Sequence, residues 1–350
     1  IKFNEIGLTE ADNAIFSRLA YCDFSEYAGK TLGEISKLLN ISDESAENKK
    51  STAYLTQQLL LQIGKSERFK NIIVLQTRET VSEDFATAFY GVMFEIYDGL
   101  YYAAFRGTDE KIVSFYEDAE LAYKFPITSQ ATALKYISEA IANLGGRYYI
   151  GGHSKGGNLA IFSYLFLKDE EKEHIIRVYN NDGPGFTGYL MGDPGYLAMV
   201  PRIKTYVPQS SVIGMLLEHE EPYTIIKSNQ VSVLQHDPYS WEVMGPNFVP
   251  MQSITADSQF VNQTIKAWIA DMDTQERNRL VDALFGLLGT GGIDKALDIF
   301  HPRNIRTYIK TLGNDPETRQ ILTAEFQNLM EAAKRTRMQP GDAKTLPEGK

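Results

Sequence analysis

The chain has 350 residues, a formal net charge of −10 and a pI near 5.2. Its 43% hydrophobic and 23% charged residues are typical of a globular protein and exclude a disordered or fibrous chain. The negative charge provides no basic field, so we predict no nucleic-acid partner. The single cysteine, Cys22, excludes an intrachain disulfide and a multi-cysteine metal site, and its apolar neighbours predict that it is buried.

The sequence shows no membrane-spanning or secretory segment. No apolar run reaches the roughly 18 residues that cross a bilayer, and the first 25 residues are acidic where a signal peptide would be basic. We therefore expect no transmembrane segment and, by default, a cytoplasmic location, although the chain starts at Ile1 and an upstream segment can have been removed. Peripheral membrane contact and the oligomeric state stay open.

Residues 1–70 have the apolar periodicity of helices, and strands follow. The run 72–75 predicts a first strand, and two β-rich runs, 87–97 and 100–105, meet at Asp98-Gly99, a pair typical of a hairpin turn. Strands and helices then alternate, which predicts a mostly parallel sheet with helices on both faces. The predicted elements are a helix over 131–144, a strand over 147–151, a helix over 157–167, and strands over 175–180 and 203–207.

The last third of the sequence predicts a change of structure. Residues 223–227 and 230–234 favour a second hairpin, directly followed by His236. Further helices are predicted over 260–271, 274–288, 294–300 and 315–334. We therefore predict an α/β domain over residues 1–255, a helical C-terminal extension over residues 256–338 and a loose tail over residues 339–350.

The segment Gly152-His153-Ser154-Lys155-Gly156 follows an apolar strand and opens a helix. A G-x-S-x-G motif needs this strand-turn-helix context, because its glycines allow a tight turn from which the serine hydroxyl projects. We predict Ser154 to be a catalytic nucleophile. The alternative is an ordinary glycine-rich turn.

A nucleophilic serine needs a base, and His236 fits best among five histidines. His153 should point away from the hydroxyl at such a turn, His174 and His219 lie in charged runs, and His301 lies among the C-terminal helices. His236 alone follows the last predicted strand, in the chain order Ser, acid, His of this class of turn. A structural histidine is the alternative.

The acid of a triad must lie between Ser154 and His236 at the end of a strand. Asp182, after the strand 175–180, is our prediction, with an Asp-Gly-Pro-Gly structural turn as the alternative. The strand that ends near Ser210-Ser211 offers no carboxylate. The other acidic residues are interpreted as turn residues or as a solvated cluster: Asp193, Asp237, Glu218, Glu220 and Glu221.

An oxyanion needs fixed donors. The backbone N–H of Lys155, the residue after the nucleophile, is one candidate. Thr108, at the end of the run 100–105, can offer both its N–H and its hydroxyl. A helix N-cap role for Thr108 and Asp109 is the alternative, and both roles are compatible.

The segments Ala104-Phe105-Arg106-Gly107-Thr108 and Gly152-His153-Ser154-Lys155-Gly156-Gly157 resemble the class 3 lipases. The resemblance covers roughly residues 70–245. It is closer to an uncharacterised bacterial branch of that superfamily. Three further segments of this chain match that branch in the same order: Glu117-Asp118, Asn181-Asp182-Gly183-Pro184-Gly185-Phe186 and Gln235-His236-Asp237-Pro238.

That resemblance implies an α/β-hydrolase fold with Ser154 as nucleophile, His236 as base and Thr108 as oxyanion donor. Two departures stand out. Class 3 lipases usually place the acid after the strand that ends here at Ser210-Ser211, so an acid at Asp182 is a shifted one. Lys155 replaces an apolar residue, which we interpret as a solvated helix side chain, with a preference for anionic substrates as the alternative.

The hydrolysis of a carboxylic ester, small or lipid, through an acyl-enzyme is the predicted function, and we expect no metal or other cofactor. The apolar loop 186–201, with Tyr189, Leu190 and Met191, is predicted to line an acyl pocket or, equally, to pack in the core. The rival functions are a catalytically inactive binding or scaffold protein, an acyltransferase or amidase with the same triad, and a partner-binding or membrane-surface role of residues 256–338.

Overall fold

The computed structural model describes residues 1–39, 51–82, 87–109, 112–290 and 302–338. Its main sheet has seven strands that lie side by side in chain order. They are β1 (Ile73–Ser82), β2 (Thr87–Tyr97), β3 (Leu100–Phe105), β4 (Arg147–His153), β5 (Ile175–Asn181), β6 (Ile203–Pro208) and β7 (Tyr223–Ile226). The strands β1 to β3 pair antiparallel, and β3 to β7 pair parallel. Two short strands, β8 (Val243–Met244) and β9 (Asn247–Phe248), form a separate hairpin.

Helices cover the sheet and extend beyond it at the C-terminal end. Before the sheet lie α1 (Glu10–Leu19), α2 (Leu32–Leu38) and α3 (Thr52–Ile63). Within the α/β part lie α4 (Ile112–Glu120), α5 (Thr128–Leu144), α6 (Lys155–Phe166), α7 (Asp169–Lys172) and α8 (Pro194–Met199). The C-terminal helices are α9 (Ala256–Asp271), α10 (Thr274–Gly289), α11 (Pro302–Asn314) and α12 (Pro316–Met338).

Strand β3 shows why both faces of the sheet are covered. Successive side chains of a strand point to opposite faces. Tyr102 and Ala104 belong to the core cluster that includes Phe16 of α1, whereas Ala103 and Phe105 belong to the cluster that includes Tyr136 of α5. The apolar run 100–105 is therefore buried on both sides. The predicted α/β-hydrolase architecture, a mostly parallel sheet between two helical layers, is confirmed.

Several predicted elements differ from the observed ones. The second hairpin is wrong, because Ser232–His236 forms a 3-10 helix after β7. His236 therefore lies on this short helix and does not directly follow a strand. Helix α11 was not predicted, and the predicted helix over 294–300 and the tail over 339–350 lie outside the described residues.

The C-terminal helices dock on the α/β part next to α4. The Tyr116 hydroxyl of α4 donates to Asp282 of α10 at 2.6 Å. Arg277 of α10 donates to the Ala122 carbonyl at 2.9 Å and to the Ile269 carbonyl of α9 at 3.0 Å. The extension is thus joined to the end of the sheet where β3 leads into α4. Within the described ranges, no helix combines the length and apolarity needed to cross a membrane.

Candidate active site

Ser154 occupies the sharp turn between β4 and α6 with φ 58° and ψ −133°. A positive φ is rare for a residue with a side chain, and such strain concentrates at functional sites. Its N–H donates to the Asn181 carbonyl at 3.0 Å, and its own carbonyl accepts from Gly157 N–H at 2.9 Å. The backbone of both neighbouring segments therefore fixes the strained turn.

The turn closes only because its flanking residues lack side chains. A Cβ on Gly152 would overlap the Gly156 backbone, and a Cβ on Gly156 would overlap the Phe105 carbonyl at the end of β3. A Cβ on Gly107 would lie 2.9 Å from the Ser154 Cβ. The glycines thus let the end of β3, the turn and the start of α6 meet at one point.

His236 and Asp182 meet beside this turn. The His236 Nδ1 lies 2.6 Å from the Asp182 Oδ2, and the Asp182 side chain is fully buried. The other carboxylate oxygen, Oδ1, accepts from the Ser211 hydroxyl at 2.5 Å. Ser211 follows β6, where a class 3 lipase would carry its acid. Ser211 therefore holds the carboxylate of Asp182 in place, and the other oxygen of that carboxylate faces His236 Nδ1.

His153 holds the main chain of His236. The His153 Nε2 donates to the His236 carbonyl at 2.7 Å, so Nδ1 accepts from the Tyr21 hydroxyl at 3.0 Å. The two imidazole rings lie 4.4 Å apart, centroid to centroid. Burial, the nearby His236 and Arg18 together hold the His153 pKa well below 6.5. His153 is therefore neutral, and its ring packs against the ring of His236.

The low pKa of His153 predicts a pH-dependent stability. Below about pH 6.5 the unfolded chain protonates this residue while the folded chain does not, so the unfolded state binds more protons and stability falls with falling pH. In His153→Asn we expect a smaller loss of Tm between pH 7 and about pH 5 than in the wild type, measured by thermal unfolding. The more exposed His174→Asn is the control; equal slopes in all three proteins would contradict the prediction.

Thr108 and Lys155 are the two residues predicted to stabilise an oxyanion. Thr108 follows Gly107, where an added Cβ would lie 2.9 Å from the Ser154 Cβ. Lys155 is the first residue of α6, so its N–H has no partner within the helix and lies at the positive end of the helix dipole. The Thr108 hydroxyl bonds to the Asp118 Oδ2. The Lys155 N–H is thus next to the serine along the chain, and Thr108 is next to Gly107, whose backbone closely approaches the serine.

The Lys155 side chain is buried, so the interpretation as a solvated residue is wrong. It is 1% exposed, and its Nζ lies 2.8 Å from Glu117 Oε2 and 3.5 Å from Asp118 Oδ1. Burial by itself lowers the Lys155 pKa, but the two carboxylates outweigh this effect and raise it. Glu117 also accepts from Ala88 N–H and from the N–H and hydroxyl of Ser129. Lys155 thus ties the turn to α4.

A cavity of about 350 Å³ opens beside Ser154. One wall comes from α4, a second from the loop after β6, and the remaining wall from α9 and α10, including Trp268 and Leu284. Leu190 and Met191 are absent from this lining and pack instead against the core cluster around α5 and α6. The position of the Tyr189 side chain lies outside the described structure.

Sequence reasoning missed several residues of this region. The sequence gives Ser211 no role beyond the absence of a carboxylate at that strand end. It gives Glu117 no role beyond its part in the family resemblance, and it predicts α9 and α10 only as helices of the C-terminal extension. Glu221, interpreted as solvated, is buried and accepts from Tyr196 and Thr205 while contacting His219. Cys22 is buried as predicted, which raises its pKa to about 12.

The chain is similar in fold to solved lipases. A fungal lipase matches 69% of this chain and 84% of its own, with 13% identity and a TM-score of 0.44. The lipase from Rhizopus microsporus var. chinensis matches 65% and 88%, with 13% identity and a TM-score of 0.38. Lip2 lipase from Yarrowia lipolytica matches 72% and 91%, with 10% identity and a TM-score of 0.36. Such identities are too low to carry an activity across.

Family membership rests on the sequence. The chain matches no curated protein. The profile of the Mbeg1-like family matches residues 63–286, which span the main sheet from before β1, the candidate site and most of α10. The chain therefore belongs to the Mbeg1-like family.

Proposed function

We propose that this protein hydrolyses carboxylic esters through an acyl-enzyme formed on Ser154. The observation that carries the proposal is the buried contact between Asp182 and His236, at 2.6 Å, beside a serine held at φ 58°. A buried carboxylate that accepts the imidazole N–H fixes the tautomer whose other nitrogen accepts a proton. In the proposal, this arrangement prepares His236 to act on the Ser154 hydroxyl.

In the proposed reaction the Ser154 Oγ attacks the ester carbonyl carbon while His236 Nε2 takes the hydroxyl proton. The N–H groups of Lys155 and Thr108 stabilise the negative oxygen. The C–O bond to the alcohol then breaks, and His236 protonates the leaving alcohol. Water, deprotonated by His236, then attacks the acyl carbon. The bond between that carbon and Ser154 Oγ breaks, and His236 returns the proton to Oγ, which releases the acid and restores Ser154.

The Asp118 carboxylate takes part indirectly. It accepts a hydrogen bond from the Thr108 hydroxyl. Because that hydroxyl has one proton to donate, the Thr108 N–H is the donor that remains for the oxyanion. Burial raises the Asp118 pKa, and the positive charge of Lys155 opposes that shift. Lys155 therefore offsets a carboxylate charge that would otherwise repel the oxyanion.

A fluorophosphonate probe tests the proposal, because it reacts covalently with an activated serine. We expect labelling of the wild type at Ser154, none in Ser154→Ala, and labelling of His236→Ala slowed by about 10³-fold. Ser25→Ala, a change at an exposed serine, is the matched control and should label like the wild type. Correctly folded wild-type protein that does not react would favour the scaffold hypothesis instead.

Activity on a panel of esters, amides and acceptor alcohols separates hydrolysis from the alternatives. We expect free acid as the product from esters. Preferential cleavage of amides would contradict the proposal and support the amidase hypothesis. Transfer of the acyl group to an added alcohol in place of water would support the acyltransferase hypothesis.

A further inference from the structure

The cavity beside Ser154 has a composition that selects its ligand. Apart from Ser154, its polar lining is limited to Asp118, Lys155 and Arg277, and aliphatic or aromatic side chains form most of its wall. The charges of Asp118 and Lys155 face each other, and the Arg277 guanidinium donates to two backbone carbonyls. The cavity therefore offers an apolar surface with its reactive group at one place on the wall.

The volume of the cavity matches one acyl chain of medium length. A water-sized group needs roughly 30 Å³, so about 350 Å³ holds about a dozen methylene-sized groups.

Independent evidence for function comes from the backbone. Leu217, which lines the cavity, has φ 61°, in the left-handed region that side chains other than those of Asn and Asp disfavour. The neighbouring Leu216 carbonyl accepts from Gly185 N–H at 2.9 Å, which holds this loop against the segment after β5. The fold thus maintains a strained leucine on the cavity wall.

The far wall is built by the C-terminal extension. Ile265, Trp268 and Ile269 of α9 and Leu280, Val281 and Leu284 of α10 line the cavity. The Trp268 indole donates to Glu325 of α12 at 3.1 Å, which fixes the ring from behind. Arg277 joins α9 and α10 to the end of α4. The helices of the extension therefore delimit the cavity.

We infer that this cavity binds a single acyl chain of about eight to twelve carbons, and that α9 and α10 set the length limit. The inference rests on the proposed function for the identity of the reacting end, since the acyl carbonyl would lie at Ser154. It assigns the substrate class as medium-chain esters and makes residues 256–289 a determinant of specificity.

Binding is tested in full-length Ser154→Ala, which needs no catalysis. The chain has two tryptophans, and only Trp268 lines the cavity. A bromine at the methyl end of decanoic acid should quench Trp268 fluorescence, and this quenching should be lost in Ser154→Ala with Trp268→Phe. Trp241, which is buried, remains as the internal reference. Saturable binding without loss of the Trp268 signal would overturn the inference.

Chain length is tested by calorimetry on the same Ser154→Ala protein. We expect affinity for fatty acids to rise about fourfold per methylene from hexanoate to decanoate, and to stop rising beyond dodecanoate. Affinity that continues to rise through hexadecanoate, or that is higher for a bulky aromatic acid, would overturn the assignment.

A cavity-filling variant tests the wall. Ile265→Trp on the Ser154→Ala background should weaken decanoate binding at least tenfold. Leu144→Trp, at the exposed end of α5 and away from the cavity, is the matched control and should bind like the parent. Equal affinities in both variants would refute the role of α9. If these binding results hold but the wild type cleaves no ester, the acyl site stands and the proposed function fails.

Discussion

Replacing Asp182 by asparagine is expected to lower kcat for ester hydrolysis by about 10⁴-fold with little change in KM. The Asn amide donates a hydrogen bond to His236 Nδ1 where the carboxylate accepts one. The ring is then held in the tautomer whose Nε2 already carries a proton, so it cannot deprotonate Ser154. Initial rates on a short-chain ester, with circular dichroism to show an intact fold, measure the effect.

Ser211 provides the control for this prediction. Ser211→Ala removes the hydroxyl that bonds to Asp182 Oδ1 but keeps the carboxylate, so we expect a loss of about tenfold or less. The double variant Asp182→Asn with Ser211→Asp moves the acid to the position usual in class 3 lipases and should recover part of the lost activity. A fall of less than tenfold in Asp182→Asn alone would show that another group orients His236.

Replacing Lys155 by methionine is expected to lower the free energy of unfolding by about 3–5 kcal/mol. The change leaves Glu117, which is fully buried, without its cation, and removes the charge that faces Asp118. Removing one partner of a buried ion pair is costly because the other remains as an uncompensated buried charge. Urea unfolding at pH 7 measures the change.

A double-mutant cycle isolates the ion pair from the lost packing of the lysine stem. Glu117→Gln keeps the shape of the side chain and removes its charge, so Lys155→Met combined with Glu117→Gln should be less destabilised than the sum of the two single changes. Lys135→Met, which alters an exposed lysine, should change stability by about 0.5 kcal/mol or less. Additive effects at Lys155 and Glu117 would contradict a direct coupling.

Much of the fold was predictable because its signals are local. Apolar periodicity located β2, β3 and α6 within a few residues, and Asp98-Gly99 identified the hairpin between the first two of these. Where the local signal was ambiguous, prediction failed. Residues 230–234 include three apolar residues but lead into the 3-10 helix Ser232–His236, and the side chains of Val231, Val233 and Leu234 are exposed.

For the candidate site too, some features were predictable from the sequence and others were not. The glycine spacing around Ser154 and the order of Ser154, Asp182 and His236 along the chain are properties of the sequence, and they led to residues that the structure brings together around one turn. Their catalytic roles remain predictions.

Only the tertiary structure decided how that site is supported and closed. Lys155 has a polar side chain at a helix start and was expected in water, but Glu117, 38 positions earlier, meets it in the interior. Ser211 and His153 contact the acid and the base through the arrangement of strand ends, and the cavity wall comes from α9 and α10, more than 100 residues after Ser154. Sequence periodicity shows which face of a helix is apolar; which surface covers that face depends on packing between distant segments.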